Sequence, residues 1–292
     1  MRIAIISDIH GNLIAYNSVI RDLQDRNIDK IICLGDCITD GPNPNKIIEI
    51  VKRDCDIIIE GNREGYIKNI EKYNDNLIQF RSINETEKSL TSKNKDYISS
   101  LDGSKIIKVG KFKILLIHGN EFTPNSLKNN EVYEQLCQKY EFDICLFGHT
   151  HIQSLEKYNK KIFLNPGSCG MPADGSCYKY CILEINDNKY NIEQVKLSTL
   201  DTFSEYVNYI MTSSMYSKVQ IWLNLCILSV HDGYDYFGEF LSQFSKIINE
   251  HDTIDTKNTK YINLYNKMYS SKFDEVIDQN NKSTIQKKIY TK

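Results

Sequence analysis

The sequence is poor in proline, in tryptophan and in net charge. Its 292 residues include five prolines and one tryptophan, and the formal net charge is −2. So few prolines, together with 41% hydrophobic residues, are typical of a folded chain and not of a disordered one. The small net charge excludes the broad positive field that holds a nucleic-acid backbone, so any nucleic-acid substrate would have to be bound locally.

A long hydrophobic run is also missing near the start of the chain. The sequence passes from Met1 and Arg2 into a short apolar strand that ends at Asp8. This strand is too brief for the core of a signal peptide or for a membrane span. We therefore expect a cytoplasmic protein that has no membrane partner.

Cysteine is more abundant than proline, with nine residues in the chain. The number is odd and the spacing irregular, which favours reduced thiols over a disulfide framework. Cys33 and Cys37, like Cys177 and Cys181, are four positions apart and could imitate part of a zinc site if the two pairs converged. The simpler interpretation is that they are small core or surface residues.

The first two hundred residues alternate short apolar runs with amphipathic stretches. The pattern predicts strands over residues 3–7, 30–34 and 56–60, with helices over about 12–26 and 44–53. This βαβ alternation predicts an α/β fold whose sheet is covered on both faces. The three strands are followed by Asp8, Asp36 and Asn62. Because the loops beyond the carboxyl ends of such strands form the binding crevice, these side chains should meet there.

The rest of the chain divides into two parts. A polar stretch over residues 63–104 predicts two surface helices, and a further helix is expected at about 131–140. Further strands are expected at 106–109, 112–117, 144–147, 161–164, 180–185 and 190–195. Beyond residue 198 apolar positions recur only at helical spacing. We therefore expect one domain over residues 1–197 and a helical C-terminal appendage over 198–292, whose end, from about Asp252, is thinly apolar and prone to fray.

An apolar segment around Trp222 lies within the appendage. Ile221, Leu225 and Leu228 share it, so it is able to pack against another surface. It could complete the core of its own helical unit, form a homo-oligomer or partner surface, or overhang the crevice and limit substrate size. The sequence leaves all three interpretations open.

An ordered series of metal-ligand residue types runs through the first part of the chain. Four of the six histidines fall inside it. Its members are Asp8, His10, Asp36, Asn62, His118, His149 and His151. Taken singly, each has an ordinary explanation as a helix cap, a turn residue or a packed polar residue. As a set that follows strand ends they favour a two-metal site built from oxygen and nitrogen ligands, without the cysteines of a structural zinc site.

Spacing within the series supports shared ligation. In an extended segment, residues two apart point to the same side. Asp8 with His10, and His149 with His151, could therefore each present two ligands toward one crevice.

These motifs resemble those of the calcineurin-like metallophosphoesterases, in the small bacterial and archaeal phosphodiesterase branch. The resemblance covers residues 1–197 and rests on the seven residues above, with Gly35, Gly61 and Gly148 beside them and the turn 165–168 after them, a turn whose role we expect to be structural. It implies a two-sheet βαβ-type sandwich flanked by helices. It also implies that Asp8, His10 and His151 hold one metal, that Asn62, His118 and His149 hold the other, and that Asp36 bridges the two.

The same resemblance implies the chemistry. Two divalent ions would share a hydroxide that attacks phosphorus. We expect manganese, with iron, zinc, nickel or magnesium as alternatives. The residues expected to act in catalysis beyond simple ligation are Arg63 and His149.

Arg63 departs from the pattern of the family, in which a histidine often follows the Gly-Asn pair. A guanidinium is a poor proton donor, so Arg63 can steady phosphate charge but should not protonate a leaving group. This predicts a preference for phosphodiesters or activated phosphoesters over simple alkyl phosphomonoesters. The competing interpretation is that Arg63 only pairs with Glu64 or another surface carboxylate.

The expected function is hydrolysis of a small phosphoester substrate, preferably a phosphodiester. Two alternatives stay open from the sequence. One is the hydrolysis of phosphoproteins or dinucleoside polyphosphates. The other is a non-catalytic protein-interaction scaffold on the same fold, because fold alone does not establish catalysis.

Overall fold

The computed structural model describes residues 1–74, 76–123 and 129–290, with side chains up to residue 284. Within these residues, ten strands form two five-stranded mixed sheets, which confirms the two-sheet α/β fold. The strands are β1 Arg2–Ile6, β2 Lys30–Cys33, β3 Ile57–Ile58, β4 Ser104–Val109, β5 Phe112–Ile117, β6 Ile144–Leu146, β7 Gln153–Tyr158, β8 Lys161–Pro166, β9 Cys177–Asn186 and β10 Lys189–Ser198.

Each sheet has three adjacent parallel strands, and the other two strands join them by antiparallel pairing. The first sheet has the order β10-β9-β1-β2-β3, with β1, β2 and β3 parallel. The second has the order β4-β5-β6-β8-β7, with β5, β6 and β8 parallel. The sequence pattern does not predict β7, because its side chains are mostly polar and half-buried.

The two sheets pack face to face over an aliphatic core. Ile3 and Ile5 of β1 share this core with Leu116 of β5, and all three are fully buried. The alternate residues Ala4 and Ile6 face the helices on the outside of the first sheet. Because both faces are covered, the central strands read as continuous apolar runs.

Helices cover the outer faces of both sheets. Those before residue 198 are α1 Leu13–Leu23, α2 Pro44–Asp54, α3 Asn62–Lys68, α4 Arg81–Ser89, α5 Ser92–Ser99 and α6 Asn130–Lys139. The expectation of two surface helices over residues 63–104 is wrong, because three α-helices and two short 3-10 turns occupy this stretch. Thr91 separates two of them, since its side chain accepts from Asn94 N and begins a new helix. Ile67 and Ile98 are buried, so these helices also contribute to the core.

The chain beyond β10 is helical as far as the structure describes it. Its helices are α7 Phe203–Met211, α8 Tyr216–Asp232, α9 Tyr236–Ile247, α10 Ile254–Met268 and α11 Ser270–Tyr290. Their buried side chains, such as Trp222 and Phe240, belong to the same apolar core as Ile6 and the α1 helix. Tyrosines such as Tyr261 supply much of the buried surface in the stretch expected to be thinly apolar.

Two other expectations bear on this architecture. No described helix combines the length and the apolar character that crossing a bilayer requires. All nine cysteines are free, and the Sγ atoms of Cys33 and Cys37 lie 3.5 Å apart in the interior. In the described parts of the chain, the groups able to hold a metal contain aspartate and histidine, without cysteine.

Candidate metal centre

The candidate site lies where the parallel strands of both sheets end. Asp8 follows β1, Asp36 follows β2 and Asn62 begins α3 after β3. His118 follows β5, and His149 lies in the loop after β6. Parallel strands place their carboxyl ends at the same edge of a sheet, so loops from the two sheets face each other there.

The loops that carry these residues are left-handed turns. Positive φ angles occur at Asp8 (57°), His10 (50°), Asp36 (53°), His149 (67°) and His151 (58°). The expectation that paired ligands lie on extended segments is therefore wrong, although each pair still faces one crevice. Non-glycine residues rarely adopt this conformation, and a cluster of such angles is typical of functional sites held by their surroundings.

One group of donor atoms surrounds Asp8. Its Oδ1 lies 3.5 Å from His151 Nε2, 3.9 Å from His10 Nε2 and 3.8 Å from His118 Nε2. The two Nε2 atoms of His10 and His151 are 3.0 Å apart. Asp8 is fully buried, so its charge depends on these neighbours and not on water.

A second group of donor atoms surrounds Asn62. Its Oδ1 lies 3.1 Å from His118 Nε2 and 3.0 Å from His149 Nδ1. Asp36 lies between the two groups, because its Oδ2 is 3.4 Å from His118 Nε2 and 3.7 Å from His10 Nε2. The structure thus brings all seven residues of the series together. Asp8, like Asp36, lies close to histidines of both groups.

The hydrogen bonds of His118 are compatible with a cation at this centre. His118 Nδ1 donates to the carbonyl oxygen of Leu34 over 2.7 Å. A carbonyl can only accept, so Nδ1 carries the proton and neutral His118 presents a lone pair at Nε2. That lone pair faces the oxygens of Asn62 and Asp36. Lone pairs facing one another require a proton or a metal ion between them, and the donor set suits a divalent cation.

The charges at the centre shift its pKa values. Burial would raise the pKa of Asp8, but His151 and His118 lower it to about 2. Burial would lower the pKa of His118, but Asp36 and Asp8 raise it to about 10. Burial and the charge of His118 lower the pKa of His149. Without metal, a proton on His118 therefore supplies the positive charge that the carboxylates need.

Two buried acids support the centre, and neither was assigned a role in it from the sequence. Asp40 accepts from His10 Nδ1 at 2.8 Å. Glu64 accepts from the backbone amides of Asp36, Cys37 and Gly61, each at 2.9 Å. Glu64 follows Asn62 closely as the third residue of α3, a position where an acid commonly reaches back to the helix start, so the sequence did carry a signal for it.

The turn after β8 holds the ligand loops in place. Asn165 Nδ2 donates to the carbonyl oxygen of Gly148, and Ser168 Oγ donates to that of Asp8. Both residues are fully buried. These contacts match the structural role expected for residues 165–168.

Arg63 lies beside the same carboxylates. Its Nη2 is 3.2 Å from Asp40 Oδ2, and its Nε is 3.9 Å from Asp36 Oδ2. Burial would lower the pKa of the guanidinium, but Asp40 and Asp36 raise it, which fits a poor proton donor. The interpretation that Arg63 pairs with Glu64 or a surface carboxylate is wrong, because Glu64 bonds to backbone amides and the partners of Arg63 are buried. The Nε atom makes no hydrogen bond to the described part of the protein.

Two cavities meet at Asn62. The smaller one, of about 230 Å³, is lined by the donor residues and Arg63, and α9 closes it through Asp235, Phe237 and Gly238. The C-terminal helices therefore overhang the crevice, as one interpretation of the sequence predicted. The larger cavity, of about 720 Å³, lies on the His118 side. Its lining includes Tyr66, Asn69, Lys72, Tyr73, Lys139 and Tyr140.

Comparison with known proteins finds relatives that share most of this chain. The protein MJ0912 of Methanocaldococcus jannaschii is 29% identical over 228 residues, which span 70% of this chain and 91% of that protein. Phosphodiesterase YfcE of Escherichia coli is 23% identical over 194 residues, spanning 63% of this chain and 88% of the relative. A metallophosphoesterase from Sphaerobacter thermophilus superposes with a TM-score of 0.56 at 24% identity, covering 71% of this chain and 94% of that one, which supports the fold.

The family match covers the part of the chain that carries the site. Residues 1–188 match the model of the calcineurin-like phosphoesterase superfamily domain. All seven donor residues fall within this span. Because the match covers well over half of the 292 residues, the chain belongs to the calcineurin-like phosphoesterase superfamily and is a metallophosphoesterase.

Proposed function

We propose that this phosphoesterase is a dinuclear metal enzyme that hydrolyses phosphodiesters or otherwise activated phosphoesters. The observation that carries the proposal is the convergence of seven donor side chains from both sheets, with lone pairs directed at one another. One cation would be held by Asp8, His10 and His151, and the other by Asn62, His118 and His149. Asp36 lies between the two groups and would bridge them.

The cations, when bound, supply Lewis-acid charge and an ionised water as the nucleophile. The protein's own residues bind and orient the substrate. Arg63 and His149 line the smaller cavity, so both side chains can contact phosphoryl oxygens. The guanidinium of Arg63 adds a positive charge beside the cavity where negative charge builds up on phosphorus.

Arg63 also limits the leaving group. Hydrolysis breaks the bond between phosphorus and one ester oxygen, and the departing alkoxide needs a proton or must be stable without one. A guanidinium whose pKa is raised cannot supply that proton efficiently. Acidic alcohols, such as phenols, should therefore leave faster than alkyl alcohols.

The two cavities support a diester as substrate. A phosphodiester has two ester arms, and Asn62 lines both cavities. The smaller one, of about 230 Å³, is closed by α9 and suits a small arm, whereas the larger one, of about 720 Å³, has room for a bulkier group. The relative YfcE is itself named a phosphodiesterase. A folded phosphoprotein would have to enter below α9, which disfavours that alternative.

Manganese is the metal that we propose. The donors are two carboxylates, one amide oxygen and four imidazoles, without sulfur. Such a mixed oxygen and nitrogen set suits manganese and other intermediate divalent ions.

An activity panel with the metal-reconstituted protein tests this function. The panel contains a bis-aryl phosphodiester, an aryl monoester, cyclic nucleotides and dinucleoside polyphosphates. The wild-type protein should hydrolyse the bis-aryl diester fastest, and Asp36→Ala and His149→Ala should abolish this activity, whereas the exposed control Asp96→Asn should retain it. Hydrolysis that survives both substitutions, or a wild-type protein inactive on the whole panel, would contradict the proposal.

A further inference from the structure

Asp40 connects a metal-ligand candidate to the C-terminal helices. One carboxylate oxygen, Oδ2, accepts from His10 Nδ1 at 2.8 Å. The other, Oδ1, accepts from the indole Nε1–H of Trp222 at 2.6 Å. Asp40 and His10 are 2% and 1% exposed, so water does not compete for these bonds. Two residues that are 212 positions apart in the sequence are thereby joined through one side chain.

The bond from His10 to Asp40 fixes which ring nitrogen of His10 is free. An ionised carboxylate only accepts, so His10 Nδ1 carries the proton and Nε2 presents its lone pair. Nε2 is the atom that faces Asp8, Asp36 and His151. A carboxylate behind an imidazole orients the ring and increases its strength as a ligand.

The loop that carries Asp40 does not hold this position by its own preference. Thr39, Asp40 and Asn43 have φ angles of 66°, 50° and 61°. Aspartate and asparagine tolerate left-handed backbone better than other non-glycine residues, but it is unfavourable for the β-branched Thr39. Such a loop persists only where its surroundings determine its conformation.

The C-terminal helices make several of the contacts around this loop, in addition to the bond from Asp40 N to Ser82 Oγ and the ion pair with Arg63. Besides the Trp222 bond, Cys226 Sγ donates to the carbonyl oxygen of Asp40 at 3.2 Å. Tyr209 Oη donates to the carbonyl oxygen of Pro42 at 2.8 Å. Side chains of α7 and α8 thus bond to the Asp40 side chain, to its carbonyl oxygen and to the carbonyl oxygen of Pro42.

Trp222 is itself held by packing. Its ring lies 4.6 Å from that of Phe237, which closes the cavity above the centre. The guanidinium carbon of Arg63 lies 5.9 Å from the centre of the indole ring. The contacts with Phe237 and Arg63 therefore fix the position of the indole ring.

We infer that Asp40 is a positioning residue for His10 and that the C-terminal helices, through Trp222, hold Asp40 in place. The C-terminal helices then support the metal centre from within, in addition to lining the cavity above it. This inference rests on the proposed metal-binding function of His10.

Binding of Mn²⁺ alone, followed by the electron paramagnetic resonance signal of free Mn²⁺, tests the inference. In Asp40→Asn the side chain has one acceptor oxygen where the carboxylate has two, so it cannot accept from both His10 Nδ1 and Trp222 Nε1, and the negative charge behind the His10 ring is lost. We expect the ion held by His10 to bind about 10- to 100-fold more weakly, as for other residues behind a ligating histidine. Trp222→Phe keeps the packing but loses the N–H donor, so its Mn²⁺ affinity should fall in the same direction and by less.

Phe244→Leu is the matched control, because Phe244 is buried in the C-terminal helices and packs on Phe240 and Tyr261. It should lower the melting temperature and leave the Mn²⁺ affinity unchanged. Wild-type affinity in both Asp40→Asn and Trp222→Phe would overturn the inference, and so would an equal loss in Phe244→Leu. The readout is metal affinity, so this failure would leave the proposed hydrolysis standing, whereas a protein that binds two Mn²⁺ ions and hydrolyses nothing would contradict only the proposed function.

Discussion

His118 Nδ1 donates a hydrogen bond to the carbonyl oxygen of Leu34 over 2.7 Å, and this bond turns the other ring nitrogen toward Asp36. The contact anchors an imidazole of the second sheet to the loop after β2 of the first. It fixes the tautomer in which neutral His118 can ligate a cation. Asp36 and Asp8 nevertheless hold a second proton on the ring when no metal is bound.

The first prediction concerns that proton. Because burial is outweighed by Asp36 and Asp8, the pKa of His118 is raised to about 10, so the ring is protonated at neutral pH. A metal must displace this proton, so Mn²⁺ binding at pH 7.5 should release about one proton or more, and affinity should rise with pH up to about 10. Titration calorimetry in buffers of different ionisation enthalpy measures the release. The exposed-site control His251→Gln should release as many protons, and pH-independent affinity would contradict the prediction.

The second prediction concerns the leaving group. Arg63→His places a side chain that can donate a proton where the guanidinium cannot. The ratio of kcat/KM on an alkyl aryl diester to that on a dialkyl diester should fall, because the alkyl leaving group gains most from protonation. Steady-state rates on the two substrates measure it, with the exposed Arg53→His as control. An unchanged ratio would remove the proton-donor argument.

The third prediction concerns the part of α9 that lines the smaller cavity. Phe237→Ala removes the largest side chain that α9 places there. The kcat/KM for a diester with two bulky arms should rise about tenfold relative to one with a methyl arm. Leu241→Ala, a partly exposed position on the same helix, should leave this ratio unchanged. No change in Phe237→Ala would show that α9 does not limit substrate size.

These point variants test the effect of α9 on substrate size better than a deletion of residues 198–292 would. Trp222 and Phe240 share a continuous buried core with Ile6 and α1. Removing the helices would expose this apolar surface to water and destabilise the remaining sheet. Lost activity in the truncated chain would then report on folding.

The fourth prediction concerns Glu64, which is fully buried and accepts from three backbone amides. Glu64→Ala leaves those amides without an acceptor, which should lower the free energy of unfolding by about 3 kcal/mol. Urea denaturation of the metal-free protein measures it. The exposed Glu49→Ala on α2 should stay within about 0.5 kcal/mol of wild type. A similarly small change in Glu64→Ala would contradict the supporting role.

The local part of the site could be predicted from the sequence. Asp8, Asp36 and Asn62 each follow an apolar run, and parallel strands bring such positions to one edge. The histidines were predicted for the same reason, since His118 and His149 follow the strands of the second sheet. Residue type and strand pattern together were sufficient for these positions.

The remaining features depend on contacts that no local pattern encodes. Trp222 reaches Asp40 across 182 positions, and sequence spacing contains no record of that pairing. The left-handed turns at Asp8 and His149 are imposed by surrounding hydrogen bonds, so the extended geometry expected there was wrong. The strand β7 pairs with β8 through its backbone. Its side chains are mostly polar, so a search for apolar runs does not predict it.

Anomalous diffraction from crystals of the Mn²⁺-reconstituted protein tests the central claim most directly. The account predicts two manganese peaks about 3.5 to 4 Å apart, with Asp36 between them and His10 and His118 on opposite sides. Asp96→Asn crystals should show the same pair. A single peak, or peaks away from these side chains, would contradict the two-metal centre.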